Sequence, residues 1–262
     1  GRGNANKLMN RLLWYCTRDF NIKITSIEGG NLRNAIPREA FATIIVPFSK
    51  EADFNNYCFS YTNTVKKELA VTDPDVQIEI NKTNLPDYTM DNLSQIAFLN
   101  AVYTCPNGVI GMMADVPGVV ETSTNLAIVK VNNGIAEIAS LQRSSVDSLR
   151  DDVCNMIRAA FELAGAKVEH SGAYPGWKPN VNSPILKIAK EIYYNKFGKQ
   201  PEVKVIHAGL ECGLIGNVFP KMDMISFGPT IRHPHSPDEK VNIPSVLKFW
   251  EFLLGVLENI PS

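Results

Sequence analysis

The hydrophobic residues of the first two thirds of the chain switch between helical and strand spacing, and this pattern constrains the fold more than any single motif. Apolar residues recur every four positions from Leu8 to Phe20, which is the spacing of a buried helix stripe, and Asn4 precedes them as a candidate N-cap. Four segments follow in the order strand, strand, helix, strand: residues 22–24, 41–46, 54–69 and 76–80. Residues 1–85 are therefore predicted to fold as helix, strand, strand, helix, strand.

Residues 86–175 repeat this order. The predicted elements are a helix over 93–103, strands over 125–131 and 135–142 joined by a turn at Asn133-Gly134, a helix over 145–161 that Gly165 ends, and a short strand over 166–169. No residue-level identity links the two halves, so the repetition is one of element order alone. This order predicts an antiparallel sheet with the helices on one face, formed by two units lying side by side.

The composition changes at residues 171–179, where two Gly and two Pro within nine residues interrupt both periodicities. A domain boundary is expected there. The predicted elements beyond it are a helix from Ser183-Pro184 to Gly198, short apolar strands at 203–206 and 224–227, and a helix over 243–257. Helices between continuous apolar strands favour a parallel sheet. This tail is too short to form a complete one, so we expect it to complete a sheet begun elsewhere.

The composition excludes several partners. The chain has 26 basic and 27 acidic residues and no basic run, so we expect neither nucleic acid nor an anionic membrane surface as a partner. No apolar run approaches the roughly 18 to 20 residues of a membrane-spanning helix.

The 5 cysteines are scattered and form no C-x-x-C pair, which predicts reduced thiols and a cytoplasmic protein. The chain has no initiator Met, which suggests that a segment upstream of Gly1 has been removed.

Two polar loops follow the predicted tail strands, at residues 207–213 and 228–239, and they hold three of the 4 histidines. Ligands bind beyond the carboxyl ends of strands in open α/β sheets, so a site is expected here, and Glu211 could pair with a substrate ammonium group. The second loop equally fits a solvated turn, because Ser236 and Glu239 match a capping box. Zinc needs three or four ligands, and no other histidine cluster completes a site. The residues alone leave both interpretations open.

Several long motifs in register resemble a known family. They lie at residues 1–7, 121–125, 174–179, 207–213, 226–230 and 234–241. Together they identify the chain as similar, over essentially its whole length, to the bacterial aminoacyl-histidine dipeptidases, which are metallopeptidases related to carnosinases and aminoacylases. The resemblance implies hydrolysis of Xaa-His and other dipeptides with two zinc ions, for which cobalt or manganese can substitute.

The resemblance also implies the domain organisation. Residues 1–175 would be an α+β lid domain, in which an antiparallel sheet carries helices on one face. The domain would consist of two fused ferredoxin-like repeats, with αββαβ-like halves at about 1–85 and 86–175. Residues 176–262 would be the C-terminal segment of an α/β zinc-peptidase catalytic domain. Most of that domain, including the general base and most metal ligands, would lie upstream of Gly1, so no catalytic residue is expected within this chain.

The resemblance implies five site residues, of which Arg143 lies in the segment Leu-Gln-Arg-Ser-Ser at a predicted strand end. His235 would be a metal ligand, and Arg143 would be the lid arginine that grips a substrate carboxylate with its planar guanidinium. Asn125 would hold the substrate or the reaction oxyanion. Gly209 and Glu211 would line the pocket, with Glu211 binding the free α-amino group. The residues alone would instead make Arg143 a surface arginine near a helix start.

Other interpretations remain at this point. His233 stands close to His235, which leaves open which imidazole faces a metal. A non-catalytic small-molecule-binding or dimerisation module is the alternative function, and a catalytically inactive relative is a third. The expected partners are a dipeptide, the missing N-terminal part of the catalytic domain and a second copy of the chain. With one metal ligand, the polypeptide alone is predicted to be inactive and to bind zinc weakly.

Overall fold

The computed structural model describes residues 2–177, 180, 182–204, 211–233 and 238–260. The chain divides into two compact units. The first unit comprises Gly1–Met113 and Val120–Gly172, and the second comprises Ala114–Val119 and Ala173–Ser262. Each unit is described separately below.

The first unit combines helices with one sheet. Its helices are α1 (Ala5–Asp19), α2 (Glu51–Glu68), α3 (Asn92–Thr104) and α4 (Asp147–Glu162), and a 3-10 turn (Phe48–Lys50) precedes α2. Its strands are β1 (Lys23–Gly29), β2 (Ala40–Ile45), β3 (Gly108–Met112), β4 (Val120–Asn132) and β5 (Ile135–Ser144).

Strand β4 is the centre of this antiparallel sheet. On one side it pairs with β3 through its N-terminal part and with β1 through its C-terminal part, and β2 extends the sheet beyond β1. On the other side β5 pairs with β4 over nearly its full length. Asn133 and Gly134 join β4 to β5 with φ angles of 50° and 76°, the left-handed conformation that a two-residue hairpin turn requires. The predicted turn is confirmed.

The four helices pack against one face of the sheet and form a single core with it. The most deeply buried side chains include Ile24 on β1, Val65 on α2, Leu99 on α3, Leu126 on β4 and Val153 on α4. Burying each such side chain contributes about 1.5–3 kcal/mol to folding. The predicted antiparallel sheet with helices on one face is therefore confirmed, and the opposite face of the sheet is left open by these helices.

The start of α1 is bound to the end of α3. Asn4 caps α1 as predicted, because its side chain accepts a hydrogen bond of 3.1 Å from the Lys7 amide. The Lys7 ammonium donates to the carbonyl oxygens of Val102, Tyr103 and Cys105 at 2.8, 2.8 and 2.9 Å. Burial lowers the pKa of Lys7, and these three carbonyls at the C-terminal end of α3 satisfy its donors.

Two of the strand predictions for the first unit are wrong. Residues 76–80 and 166–169 lie outside the described strands, although Val76, Ile78 and Val168 pack partly buried against the core. Alternating hydrophobicity reports that one side of a segment is buried, and it does not supply a hydrogen-bonding neighbour. Strand β3 was not predicted. The two halves therefore follow the orders αββα and αβββα, and not the expected αββαβ.

The second unit contains α5 (Pro184–Phe197), α6 (Glu211–Val218), β6 (Ile231–Arg232), β7 (Lys240–Val241) and α7 (Ile243–Glu258). Helix α5 matches its prediction: the Ser183 hydroxyl accepts from the Leu186 amide at 3.1 Å, and Gly198 ends the helix with a φ of 66°. Ala189 of α5 packs with Phe252 and Val256 of α7. Over the described ranges, no helix has both the length and the apolarity needed to cross a bilayer.

The strand predicted at residues 224–227 is wrong, since its Ile225 and Phe227 pack against the cluster between α5 and α7 without strand pairing. The strand predicted at 203–206 falls partly outside the described residues, and 203–204 are not in a strand. In the part of this unit that the structure describes, the strand pairing is the short antiparallel β6–β7 contact, so no parallel pair is found there.

Candidate functional site

Arg143 and Asn125 lie on the sheet face that the helices leave open. In the β4–β5 pairing Arg143 is opposite Ser123, and Asn125 is opposite Leu141. Directly opposed residues point to the same face of a sheet, so Arg143 and Asn125 are diagonal neighbours, a relationship in which side chains stand about 7–8 Å apart. The structure thus brings together two of the predicted substrate-binding residues.

The strand segment that carries Arg143 is supported from the opposite face. Gln142 donates to the Thr124 hydroxyl at 3.2 Å, and the hydroxyls of Thr122 and Ser144 are hydrogen-bonded at 2.9 Å. These bonds cross between β4 and β5 on both sides of Arg143 in sequence. Because the backbone is held there, the half-buried Arg143 is presented from a fixed strand end, immediately before α4.

The Asn125 side chain uses its hydrogen-bonding groups within the protein. Its amide nitrogen donates to the carbonyl oxygens of Ala35 at 2.7 Å and Arg33 at 3.4 Å. Its amide oxygen accepts from the Asn4 side chain at 3.3 Å. Asn125 therefore fastens the loop of residues 31–36 to the sheet, and its role as a direct substrate contact stays a prediction.

A cluster of buried amides surrounds this attachment. The Asn4 side chain also donates to Asn107 and to the Leu126 carbonyl, both at 3.0 Å, and the Asn107 side chain accepts from the Leu126 amide at 2.9 Å. The β4–β5 register shifts between Leu126 and Ile128, which marks a β-bulge. The Leu126 backbone lies between the part of β4 that pairs with β3 and the part that pairs with β1, and asparagine side chains bond its N–H and C=O groups there.

The loop of residues 31–36 was not recognised in the sequence. It begins after Gly30, whose φ of 71° and close approach to the Ala127 carbonyl leave no room for a Cβ atom. The side chains of Arg33 and Asn34 are exposed. The Gly29-Gly30 pair was the available signal, since consecutive glycines mark a tight turn or a close backbone contact.

The remaining predicted residues belong to the second unit. Glu211 is exposed in the first turn of α6. Gly209 and His235 lie outside the described residues, and His233 is exposed with a φ of 53°. Across the described ranges no group of three His, Cys, Asp or Glu side chains could hold a metal ion. These side chains therefore supply no zinc-binding set by themselves.

Comparisons with known proteins relate the chain to peptidases. A family model described as a peptidase dimerisation domain, of the M20 type, matches residues 1–72. The cytosol non-specific dipeptidase of Escherichia coli (strain K12) is 42% identical over 262 residues, which are 100% of this chain and 54% of that protein. The crystal structure of aminoacylhistidine dipeptidase from Vibrio alginolyticus superposes with a TM-score of 0.93 at 43% identity and covers 100% of this chain. The chain spans 54% of that structure as well, so it is about half as long as the relatives that it matches.

Proposed function

Because the chain is similar over its whole length to aminoacylhistidine dipeptidases, as its motifs predicted, we propose that it forms part of a dipeptidase that hydrolyses Xaa-His and other dipeptides. The observation that carries this proposal is the agreement of 42% sequence identity with a structural match of TM-score 0.93, both over 100% of the chain. Fold alone would be weaker support, since one fold can host unrelated chemistries.

Within this proposal, residues 1–175 serve as a lid domain derived from two fused ferredoxin-like repeats, and Arg143 binds the C-terminal carboxylate of the dipeptide. The open sheet face supports this role because no helix of the first unit covers it. A guanidinium presents parallel N–H donors that match both carboxylate oxygens. The bonded strand segment around Arg143 would keep that geometry fixed before substrate arrives.

Asn125 contributes to the open sheet face indirectly, by holding the loop of residues 31–36. Its hydrogen bonds to Ala35 and Arg33 support an indirect role, since they hold a loop whose Arg33 and Asn34 side chains are exposed. A direct contact between Asn125 and the substrate or the oxyanion would require these bonds to be exchanged. We therefore favour the loop, and not the Asn125 amide, as the surface presented to substrate.

The second unit contributes His235 as a ligand to one of two zinc ions, with cobalt or manganese as substitutes. Gly209 and Glu211 line the pocket, and Glu211 binds the α-amino group of the dipeptide. Bound zinc would polarise the scissile carbonyl and acidify a water molecule. The other ligands and the general base come from outside these 262 residues.

The proposal also covers the oligomeric state and the cellular location of the protein. The match of residues 1–72 to a peptidase dimerisation domain supports a homodimer. The name of the Escherichia coli relative supports a location in the cytosol. The same dimerisation match also favours the second candidate function, a binding or dimerisation module without catalysis.

The two candidates are separated by an assay of the full-length protein on Xaa-His and other dipeptides with zinc, cobalt or manganese. Metal-dependent cleavage that His235→Ala abolishes would establish the dipeptidase. Failure of the wild type to cleave any dipeptide with any of the metals would favour the non-catalytic module.

A further inference from the structure

Ser123 lies directly opposite Arg143 on the open face of the sheet. The pairing of β4 with β5 places these two residues across from each other. Directly opposed side chains share a face, with their Cβ atoms about 4.5–5.5 Å apart, whereas a diagonal neighbour such as Asn125 stands about 7–8 Å away. Ser123 is therefore the residue of β4 whose side chain begins nearest to that of Arg143.

The hydroxyl groups on either side of Ser123 point away from this face. Thr122 and Thr124 are 2% and 3% exposed, and their hydroxyls are hydrogen-bonded to side chains of β5 on the helix side of the sheet. Successive side chains of a strand alternate between the two faces, so Ser123 faces the open side, where it is half-buried. Of these three consecutive hydroxyls, the one on Ser123 shares the face of Arg143.

The backbone at Ser123 is held by strands on both sides. Ser123 is opposite Arg143 of β5 and opposite Val109 of β3, because β4 runs between these strands. Beyond this pair the Ser145 amide donates to the Glu121 carbonyl at 3.1 Å, so the pairing with β5 continues past Arg143. A residue on a central strand is fixed before a ligand arrives, which lowers the entropy cost of binding.

Glu121 and Asn125, two residues before and after Ser123, are directed elsewhere. The Asn125 side chain bonds the loop of residues 31–36 and Asn4. The Glu121 carboxylate extends toward β3, since its Oε1 atom lies 3.8 Å from the point that a Cβ atom on Gly111 would occupy. The Ser123 hydroxyl is therefore the side-chain donor of this β4 segment that is best placed beside the guanidinium.

A hydroxyl next to a guanidinium suits a carboxylate ligand. The guanidinium of Arg143 can bond both carboxylate oxygens, and each of these oxygens keeps a further lone pair that a hydroxyl can reach. Hydrogen bonds donated to an ionised carboxylate are roughly twice as strong as bonds between neutral groups. An ammonium group would instead be repelled by the guanidinium, so the pair selects an anionic group.

We propose that the Ser123 hydroxyl donates a hydrogen bond to the same substrate carboxylate that Arg143 binds. This inference rests on the proposed dipeptidase function, and it adds Ser123 to the residues that select a free C-terminal carboxylate. Arg143 supplies the charge. Ser123 fixes the rotation of the carboxylate about its bond to the α-carbon, so that the scissile carbonyl is presented in one orientation.

The test measures kcat/KM of the full-length protein for the dipeptide that the wild type cleaves fastest. Ser123→Ala is expected to lower it by about tenfold, as for the loss of a hydrogen bond to a charged group. Ser123→Thr retains the hydroxyl and should keep most of the activity, whereas Ser123→Val has the shape of threonine without the hydroxyl and should lose at least as much as Ser123→Ala. Ser60→Ala, at an exposed serine of α2, is the control and should change nothing.

A double-mutant cycle tests whether the two side chains act on one carboxylate. In the Arg143→Gln background, Ser123→Ala should lower kcat/KM by much less than it does in the wild type, because the carboxylate is no longer anchored. Denaturant unfolding would verify that each variant is folded.

Three results would overturn the role of Ser123 in an active protein: wild-type kcat/KM in Ser123→Ala, equal losses in Ser123→Thr and Ser123→Val, or an undiminished loss in the Arg143→Gln background. A wild type that cleaves no dipeptide would instead refute the proposed function, and this inference with it. The two failures are therefore distinguished by the activity of the wild type.

Discussion

Arg143 and Asn125 stand diagonally across β4 and β5, on the same face of the sheet, although they are 18 positions apart in the chain. Arg143 presents its guanidinium on the open face of the sheet, and Asn125 fastens the loop of residues 31–36 to the sheet. Under the proposed function Arg143 contacts substrate and Asn125 positions its neighbours, and these two roles predict different effects of substitution.

Replacing Arg143 should reduce substrate binding without changing the fold. In the full-length protein, Arg143→Lys and Arg143→Gln are expected to lower kcat/KM for dipeptides by about 10- to 100-fold, because a bidentate contact to a carboxylate is lost. The effect should be much smaller on dipeptide amides, which lack the carboxylate. Arg158→Gln, a change in an exposed ion pair on α4, is the control. Equal losses on dipeptides and their amides would contradict the role of Arg143.

Replacing Asn125 should release the loop of residues 31–36. Asn125→Ala removes the hydrogen bonds to Ala35 and Arg33 and leaves their carbonyl oxygens without this donor, which is expected to cost about 1–3 kcal/mol of unfolding free energy. Amide hydrogen exchange in the loop should rise. The exposed Asn55 on α2 offers a matched change, Asn55→Ala, that should alter neither quantity. Unchanged exchange in the loop of the Asn125 variant would show that the loop is held by other contacts.

The Arg11–Glu68 pair predicts a small pH dependence of stability. Arg11 donates to both carboxylate oxygens of Glu68, at 2.8 and 3.0 Å, and this lowers the pKa of Glu68 below its ordinary 4.5. A lowered pKa in the folded state stabilises the fold above pH 4.5, and the contribution is lost as the pH falls through the folded value.

Because the pair is exposed, Glu68→Gln should lower the unfolding free energy at neutral pH by no more than about 1 kcal/mol. Denaturant unfolding of both proteins from neutral to acidic pH would show the difference disappear below pH 4.5. A difference that persists or grows in acid would mean that the pair acts through packing and not through charge.

The 262-residue chain by itself is expected to cleave no dipeptide and to bind zinc weakly. The reason is that one predicted ligand, His235, cannot hold a dinuclear site, and the described residues provide no further group. Competition with a chromogenic chelator would measure zinc affinity, with His235→Ala as the comparison. Turnover by the purified chain, at a rate comparable to that of the full-length protein, would contradict the proposed sharing of the site.

The sequence predicted elements whose signals are local. The Ser183 cap, the Gly198 end and the Asn133-Gly134 turn each depend on residues within a few positions, and all three are found. Strand β3 was missed because a five-residue segment with two glycines, Gly108 and Gly111, has little alternation to detect. Its identity as a strand depends on its pairing with β4, which the sequence does not display.

The candidate site was predictable only in part for the same reason. The resemblance to dipeptidases selected Arg143 and Asn125, but their diagonal position depends on the register of the hairpin. The attachment of the loop of residues 31–36 depends on Asn125 meeting Ala35, 90 positions away. Hydrogen bonds between residues so far apart leave no periodic signal, so the attachment of the loop to Asn125 could be recognised only in the folded structure.

The contacts of α1 have a consequence for how the first unit assembles. Asn4 bonds Asn107, and Lys7 closes the end of α3, so the first helix of one half completes its polar contacts only with the other half. A ribosome would have to synthesise about a hundred further residues before these partners exist. Until then the Lys7 ammonium and the Asn4 amide of the early half lack these acceptors, so we expect the two halves to become native in one shared, late event and not one after the other.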